Sequence, residues 1–144
     1  MLAMVFLSWG TIMQRARIVL ADDHPGVAEE LRYLLDEAFD VVAVVGHGQA
    51  LVTAATRLSP DAVVTDISMP GMDGMEAARQ LLCARPDLGV IFVSVHDDPA
   101  LARKALDIGR GYVRKASAGE ELVDAIRVVL EGRVFVSASL GVTP

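Results

Sequence analysis

Three aspartates, a serine and a lysine stand at or just past the ends of short apolar runs. Asp22 and Asp23 close Ile18–Ala21, and Asp66 closes Ala62–Thr65. Ser94 ends Val90–Val93, and Lys115 follows Tyr112-Val113. If the runs are neighbouring parallel strands, all these groups land on one edge of one sheet. Three carboxylates, a hydroxyl and an ammonium then converge. Such a set suits a hard divalent cation and a phosphoryl group.

Each residue type has a task in that chemistry. Mg2+ takes oxygen ligands, commonly one or two carboxylates plus phosphate oxygens and water. Asp23 and Asp66 read as direct ligands, Asp22 acts through water, and the backbone carbonyl of Ser68 supplies a further oxygen. Clustered carboxylates repel one another, and a cation removes that conflict. Asp66 is the candidate nucleophile, because a carboxylate can attack phosphorus and form an acyl phosphate. Lys115 would pair with one phosphoryl oxygen, and Ser94 would donate its hydroxyl to another. Taken alone, Asp22-Asp23 serves equally well as a helix cap. Lys115 alone reads as a surface lysine, and Ser94 as a strand-end hydroxyl. Their joint placement points to a site.

The intervening sequence supplies elements that could position these groups. After the turn His24-Pro25-Gly26, Val27, Leu31, Leu34, Leu35 and Ala38 recur at helical spacing. Val41–Val45 is a second strand, and Gln49–Leu58 is a helix ended by Ser59-Pro60. The loop from Met69 to Gly74 leads into a helix running to about Ala84. Gly89–Val93 is the fourth strand, Pro99–Ile108 a helix, Gly111–Val113 the fifth strand and Ala118–Leu130 the last helix. Alternation with short connections predicts a doubly wound α/β fold: five parallel strands with helices on both faces. Ligands in such sheets bind at the carboxyl ends of the strands.

Composition narrows the function classes. The chain has 144 residues, 53% hydrophobic and 22% charged, which fits one globular domain. A net charge of −6 gives no general electrostatic reason to hold nucleic acid or anionic lipid. The single Cys83 excludes an internal disulfide, and it reads as a buried or half-buried inert thiol. His24, His47 and His96 lack metal-ligand spacing and take loop or surface roles. Gly46 and Gly48 form no dinucleotide fingerprint. Residues 1–14 form an apolar extension, too short to span a membrane and unlike a secretory signal. Met13 is the favoured natural start.

Four ordered stretches resemble the receiver domain of two-component response regulators, with its CheY-like fold. They are Val19–Pro25, Asp61–Gly74, Val93–Asp98 and Gly111–Ala116. The likeness runs from about Ile18 to Val136 and is nearest to receivers whose output is a LuxR-type helix-turn-helix. It implies a bacterial, cytoplasmic phosphorelay protein. A histidine kinase or phosphotransfer protein would donate a phosphoryl group to Asp66. Asp22 and Asp23 map to the acidic Mg2+ pair, Ser94 to the switch hydroxyl, Lys115 to the motif lysine and Tyr112 to the switch aromatic. The face from about Pro99 through Leu130 would then change its partners. Homodimerisation through the last helices is ordinary for such domains.

Two local departures stand out. The stretch Gly109-Arg110-Gly111-Tyr112 is one residue shorter than usual, which tightens the loop before the fifth strand. Val95 follows Ser94 where a small residue is common, and its size would narrow access to the site. Residues 15–132 are expected to form the receiver, and residues 133–144 a linker-like tail. The chain is therefore expected to be a single-domain regulator or the receiver of a longer protein, with no direct route to DNA of its own. Self-catalysed phosphorylation and hydrolysis are expected, without metabolite turnover. A phosphorylation-independent interaction module is the alternative reading. An aspartate-nucleophile phosphatase is disfavoured by Ser68 two places after Asp66. A flavin-binding protein is disfavoured because Asp22-Asp23 would repel its phosphate.

Overall fold

The computed structural model describes residues 15–143; the expectations for residues 1–14 lie outside them. Six strands alternate with five helices. They are β1 (Arg17–Ala21), α1 (Pro25–Asp36), β2 (Asp40–Val45), α2 (Gly48–Leu58), β3 (Ala62–Thr65), α3 (Gly74–Ala84), β4 (Gly89–Ser94), α4 (Pro99–Leu106), β5 (Gly111–Arg114), α5 (Ala118–Leu130) and β6 (Phe135–Val136). The strands form one sheet in the order β2-β1-β3-β4-β5-β6, and every neighbouring pair is parallel.

Strand alternation divides the core in two. Val19, Ala21, Val63, Val90, Phe92 and Tyr112 face α2, α3 and α4. Ile18, Leu20, Val64, Ile91, Val93 and Val113 face α1 and α5. The three central strands β1, β3 and β4 are covered on both faces, so their sequences are continuous apolar runs. Fully burying each Val, Leu or Ile contributes about 1.5–3 kcal/mol. Removing one from these strands leaves a cavity that the surrounding structure fills only in part.

The helices begin and end where local chemistry allows. Pro25 and Pro99 occupy first-turn positions, where a missing N–H leaves no bond unmade. Asp73 and Asp98 cap α3 and α4 by accepting backbone N–H groups. Among the described residues, no helix is long and apolar enough to cross a membrane.

Two expectations need correction. The sheet has six strands rather than five, because Phe135-Val136 pairs with Gly111-Tyr112. Two residues are too few to display a period, so the sequence shows only a tail there. Cys83 is exposed, not buried. Ala77, Ala78 and Leu81 define the inward face of α3. A residue two places beyond Leu81 falls on the opposite side of the helix.

Candidate functional site

The chain order reverses direction across the sheet between β1 and β3, opening a crevice at their carboxyl ends. Asp22 and Asp23 leave β1 there, and Asp66 leaves β3. Asp22 Oδ1 accepts the His24 N–H at 2.9 Å, a local turn that starts α1. The Asp66 N–H donates to the Ala21 carbonyl at 2.9 Å, which ties the two strand ends together. Asp66 Oδ1 accepts the Ser68 N–H at 3.3 Å. Gly74 closes the loop behind Asp66 by donating to the Ile67 carbonyl at 2.8 Å. A side chain at Gly74 would collide with the Asp66 backbone carbonyl, so glycine lets α3 start this close to the site.

Lys115 reaches the same crevice from the turn after β5. Its Nζ lies 2.8 Å from Asp66 Oδ2 and 2.8 Å from Asp22 Oδ2. Burial works against the ammonium charge, but the carboxylates of Asp22 and Asp66 facing it together outweigh burial and raise the Lys115 pKa. Asp22 and Asp66 are buried; Asp23 is partly exposed.

The oxygens suit a cation. Asp22, Asp23, His24 and Asp66 each offer one ligand atom, all within 4.8 Å of one another. Asp23 Oδ1 is buried yet receives no hydrogen bond. Asp22 Oδ2 touches Lys115 closely but without hydrogen-bond alignment. This cluster could hold a metal ion, and its carboxylates favour a hard one.

Ser94 ends β4 fully buried, and its Oγ accepts the His96 N–H at 3.1 Å. Tyr112 is also fully buried and donates its hydroxyl to the His96 carbonyl at 2.9 Å. Burial raises the Tyr112 pKa, with the charges of Asp98, Asp66 and Asp97 adding and the Ser94 hydroxyl offsetting part. The structure therefore brings together Asp22, Asp23, Asp66, Ser68 and Lys115, with Ser94 and Tyr112 joined to them through His96.

Sequence reasoning left out two histidines. His24 Nδ1 lies 3.1 Å from Asp23 Oδ1, and adjacency to the acidic pair was the available signal. His96 joins Ser94, Tyr112 and, at 3.4 Å, the Ser68 hydroxyl. Its two-residue offset from Ser94 carried no recognisable spacing. Val95, expected to narrow access to the site, stands at its edge. It is 70% exposed, on the rim of a broad apolar groove beside Lys115. Val27, Leu31, Leu34 and Ala118 continue that groove between α1 and α5.

Comparison with known proteins places this geometry. The family model described as "Response regulator receiver domain" matches residues 18–127. Response regulator GacA of Pseudomonas aeruginosa is 35% identical over 127 residues, covering 86% of this chain and 59% of GacA. Transcriptional regulatory protein DegU of Brevibacillus brevis is 33% identical over 125 residues, covering 85% of this chain and 53% of DegU. The chain thus spans little more than half the length of these curated relatives. A crystal structure of a LuxR-family two-component response regulator from Aurantimonas sp. SI85-9A1 superposes with a TM-score of 0.84 at 34% identity. That likeness covers 89% of this chain and 94% of the other. A sheet reversal with an acidic cluster beside a doubly paired lysine, inside a family match of this extent, has one reading: this chain belongs to the response regulator receiver domains of two-component signalling.

Proposed function

We propose that Asp66 is the phosphoacceptor of this receiver and that a histidine kinase or phosphotransfer protein is its donor. The observation that supports this most is Lys115 Nζ, held 2.8 Å from both Asp66 and Asp22 at the mouth of the crevice. An Asp66 oxygen attacks the phosphorus of a phosphohistidine whose other ring nitrogen carries a proton, the P–N bond breaks with its electron pair going to nitrogen, and neutral imidazole leaves. Mg2+ held by Asp23, Asp66 and the Ser68 carbonyl, with Asp22 acting through water, would neutralise charge on the transferred group. Lys115 turns from the Asp66 carboxylate to a phosphoryl oxygen. The Ser94 hydroxyl, whose oxygen accepts the His96 N–H, donates its hydrogen to another. Hydrolysis later returns Asp66 to a carboxylate and releases inorganic phosphate. The chain thus catalyses its own modification and reversal without turning over a metabolite.

The apolar groove between α1 and α5 opens beside Lys115 and suits an amphipathic helix of the donor. Tyr112 is the second switch residue, and the face from α4 through α5 is the surface that changes partners. Self-association through the last helices, a cytoplasmic location and the absence of direct nucleic-acid binding belong to the same reading. Residues 15–132 would form the body of the receiver, and the segment from 133 onward would complete its sheet through Phe135–Val136.

Intact-protein mass after treatment with acetyl phosphate and Mg2+ tests the reading. A gain of one phosphoryl group is expected, lost in Asp66→Asn and without Mg2+. No gain in the wild type would favour a module that binds partners without phosphorylation.

A further inference from the structure

Two helices of this protein open on a histidine, and the two side chains behave differently. His47 precedes α2, and its Nδ1 accepts the Ala50 N–H at 3.2 Å, a capping bond. His24 precedes α1, and its side chain caps nothing. The imidazole turns back over the acidic pair instead. Its Nδ1 lies 3.1 Å from Asp23 Oδ1 and 3.5 Å from Asp22 Oδ1. The backbone on either side is held. The His24 N–H donates to Asp22 Oδ1 at 2.9 Å, and the His24 carbonyl accepts the Ala28 N–H at 2.9 Å. Pro25 then fixes the next φ.

The contact between Nδ1 and Asp23 is close without being a hydrogen bond. Asp23 Oδ1 is buried and receives no hydrogen from any donor among the described residues. Asp22 Oδ2, on a side chain only 1% exposed, also lacks an aligned donor. A hydrogen bond needs the ring N–H aimed at the oxygen, whereas a shared cation needs the right spacing. Neighbouring ligands of an octahedral cation held at about 2.1 Å stand about 3.0 Å apart. The separations of 3.1 and 3.5 Å are close to that edge. Asp66 completes the group, with all four ligand atoms inside 4.8 Å.

We propose that His24 Nδ1 is a ligand of the cation site and makes this receiver select a divalent transition cation, of the manganese-to-zinc series, over Mg2+. The proposal rests on the metal reading of the acidic pair and not on phosphoryl transfer. Mg2+ is a hard cation that takes oxygen ligands and keeps its waters, so a nitrogen beside the pair adds little for it. Imidazole suits the later transition cations, which a site of carboxylates alone holds less selectively. His24 therefore widens the gap between the two kinds of cation at one site.

Calorimetric titration of the untagged 144-residue chain with Mg2+ and with Ni2+ tests this, beside His24→Ala. The imidazole is 68% exposed and caps no helix, so the variant is expected to fold, with circular dichroism as the check. His24→Ala should lower Ni2+ affinity about 10-fold or more, at least the loss seen when a residue that merely orients a ligand is removed. Its Mg2+ affinity should stay that of the wild type. Equal losses for both cations, or none for Ni2+, would overturn the selection while Mg2+ binding leaves the metal reading standing. Binding of neither cation by the wild type overturns both. Zn2+, which is diamagnetic, reports the ligand directly in 15N spectra of the imidazoles. The His24 Nδ1 resonance should move most, with His47 and His96 as internal references. A shift centred on His96, or no shift, would overturn the assignment.

Discussion

Replacing Asp66 with Asn should stabilise the cation-free protein, although Asp66 is buried and paired with a lysine. The attraction between Lys115 Nζ and Asp66 Oδ2 at 2.8 Å is about 6 kcal/mol at an effective dielectric of about 20. Asp22 and Asp23 each offer an oxygen within 4.8 Å of that of Asp66. Their combined repulsion is about 7 kcal/mol or more on the same scale. Burial of Asp66 disfavours its charge in the same direction. The net effect of the charge is therefore unfavourable by about 1 kcal/mol or more, the small difference of large opposing terms. Asn keeps the shape and an oxygen for the Ser68 N–H, and leaves Lys115 paired with Asp22. In EDTA, Asp66→Asn should gain about 1–2 kcal/mol, or about 2–6 °C in Tm. Urea and thermal unfolding measure this. Saturating Mg2+ should raise the wild type more than the variant, because binding to the folded form alone adds stability. A loss of about 2 kcal/mol or more in EDTA, the sign expected for breaking an ordinary buried ion pair, would refute this reasoning.

Other expectations follow from individual residues. Lys115 and Tyr112 both keep their protons above the ordinary values of 10.5 and 10.0. Stability linked to them is intact below those values and is lost as pH rises through the raised folded ones. Alkaline unfolding should accordingly steepen above about pH 10, and Tyr112→Phe should remove part of that slope. The phenolate absorbance missing from that variant should be the component that develops above about pH 10. Ser94→Ala should lower phosphoryl gain from acetyl phosphate by about 10-fold or more, the loss of one donor to developing charge. Time-resolved intact mass reads that rate, with circular dichroism as the check on folding. Cys83, being exposed, should react with a thiol reagent in the folded protein as readily as in urea. Strong protection in the folded state would contradict its place on α3.

The central strands were legible because burial on both faces leaves no room for polar residues. The acidic pair, Asp66, Ser94 and Lys115 were legible because parallel strands bring their carboxyl ends to one edge. The helices showed through period and through the prolines at their starts. β6 was not legible, because its pairing is written in backbone N–H and carbonyl groups supplied by β5. Ser137 was hidden for the same reason: a serine in a tail carries no sign that it will be buried against Arg114. Cys83 was misplaced because an apolar neighbourhood in sequence says nothing of helix phase. His96 joined the site through a turn whose geometry depends on Ser94, and no local spacing encodes that contact.

The central claim is that Asp66, among three clustered aspartates, takes the phosphoryl group. Borohydride reduces an acyl phosphate and marks the residue that carried it. Protein treated with acetyl phosphate and Mg2+, reduced and then mapped by peptide mass spectrometry, should carry the mark at Asp66 alone. A mark at Asp22 or Asp23, or an equal yield without Mg2+, would contradict the account.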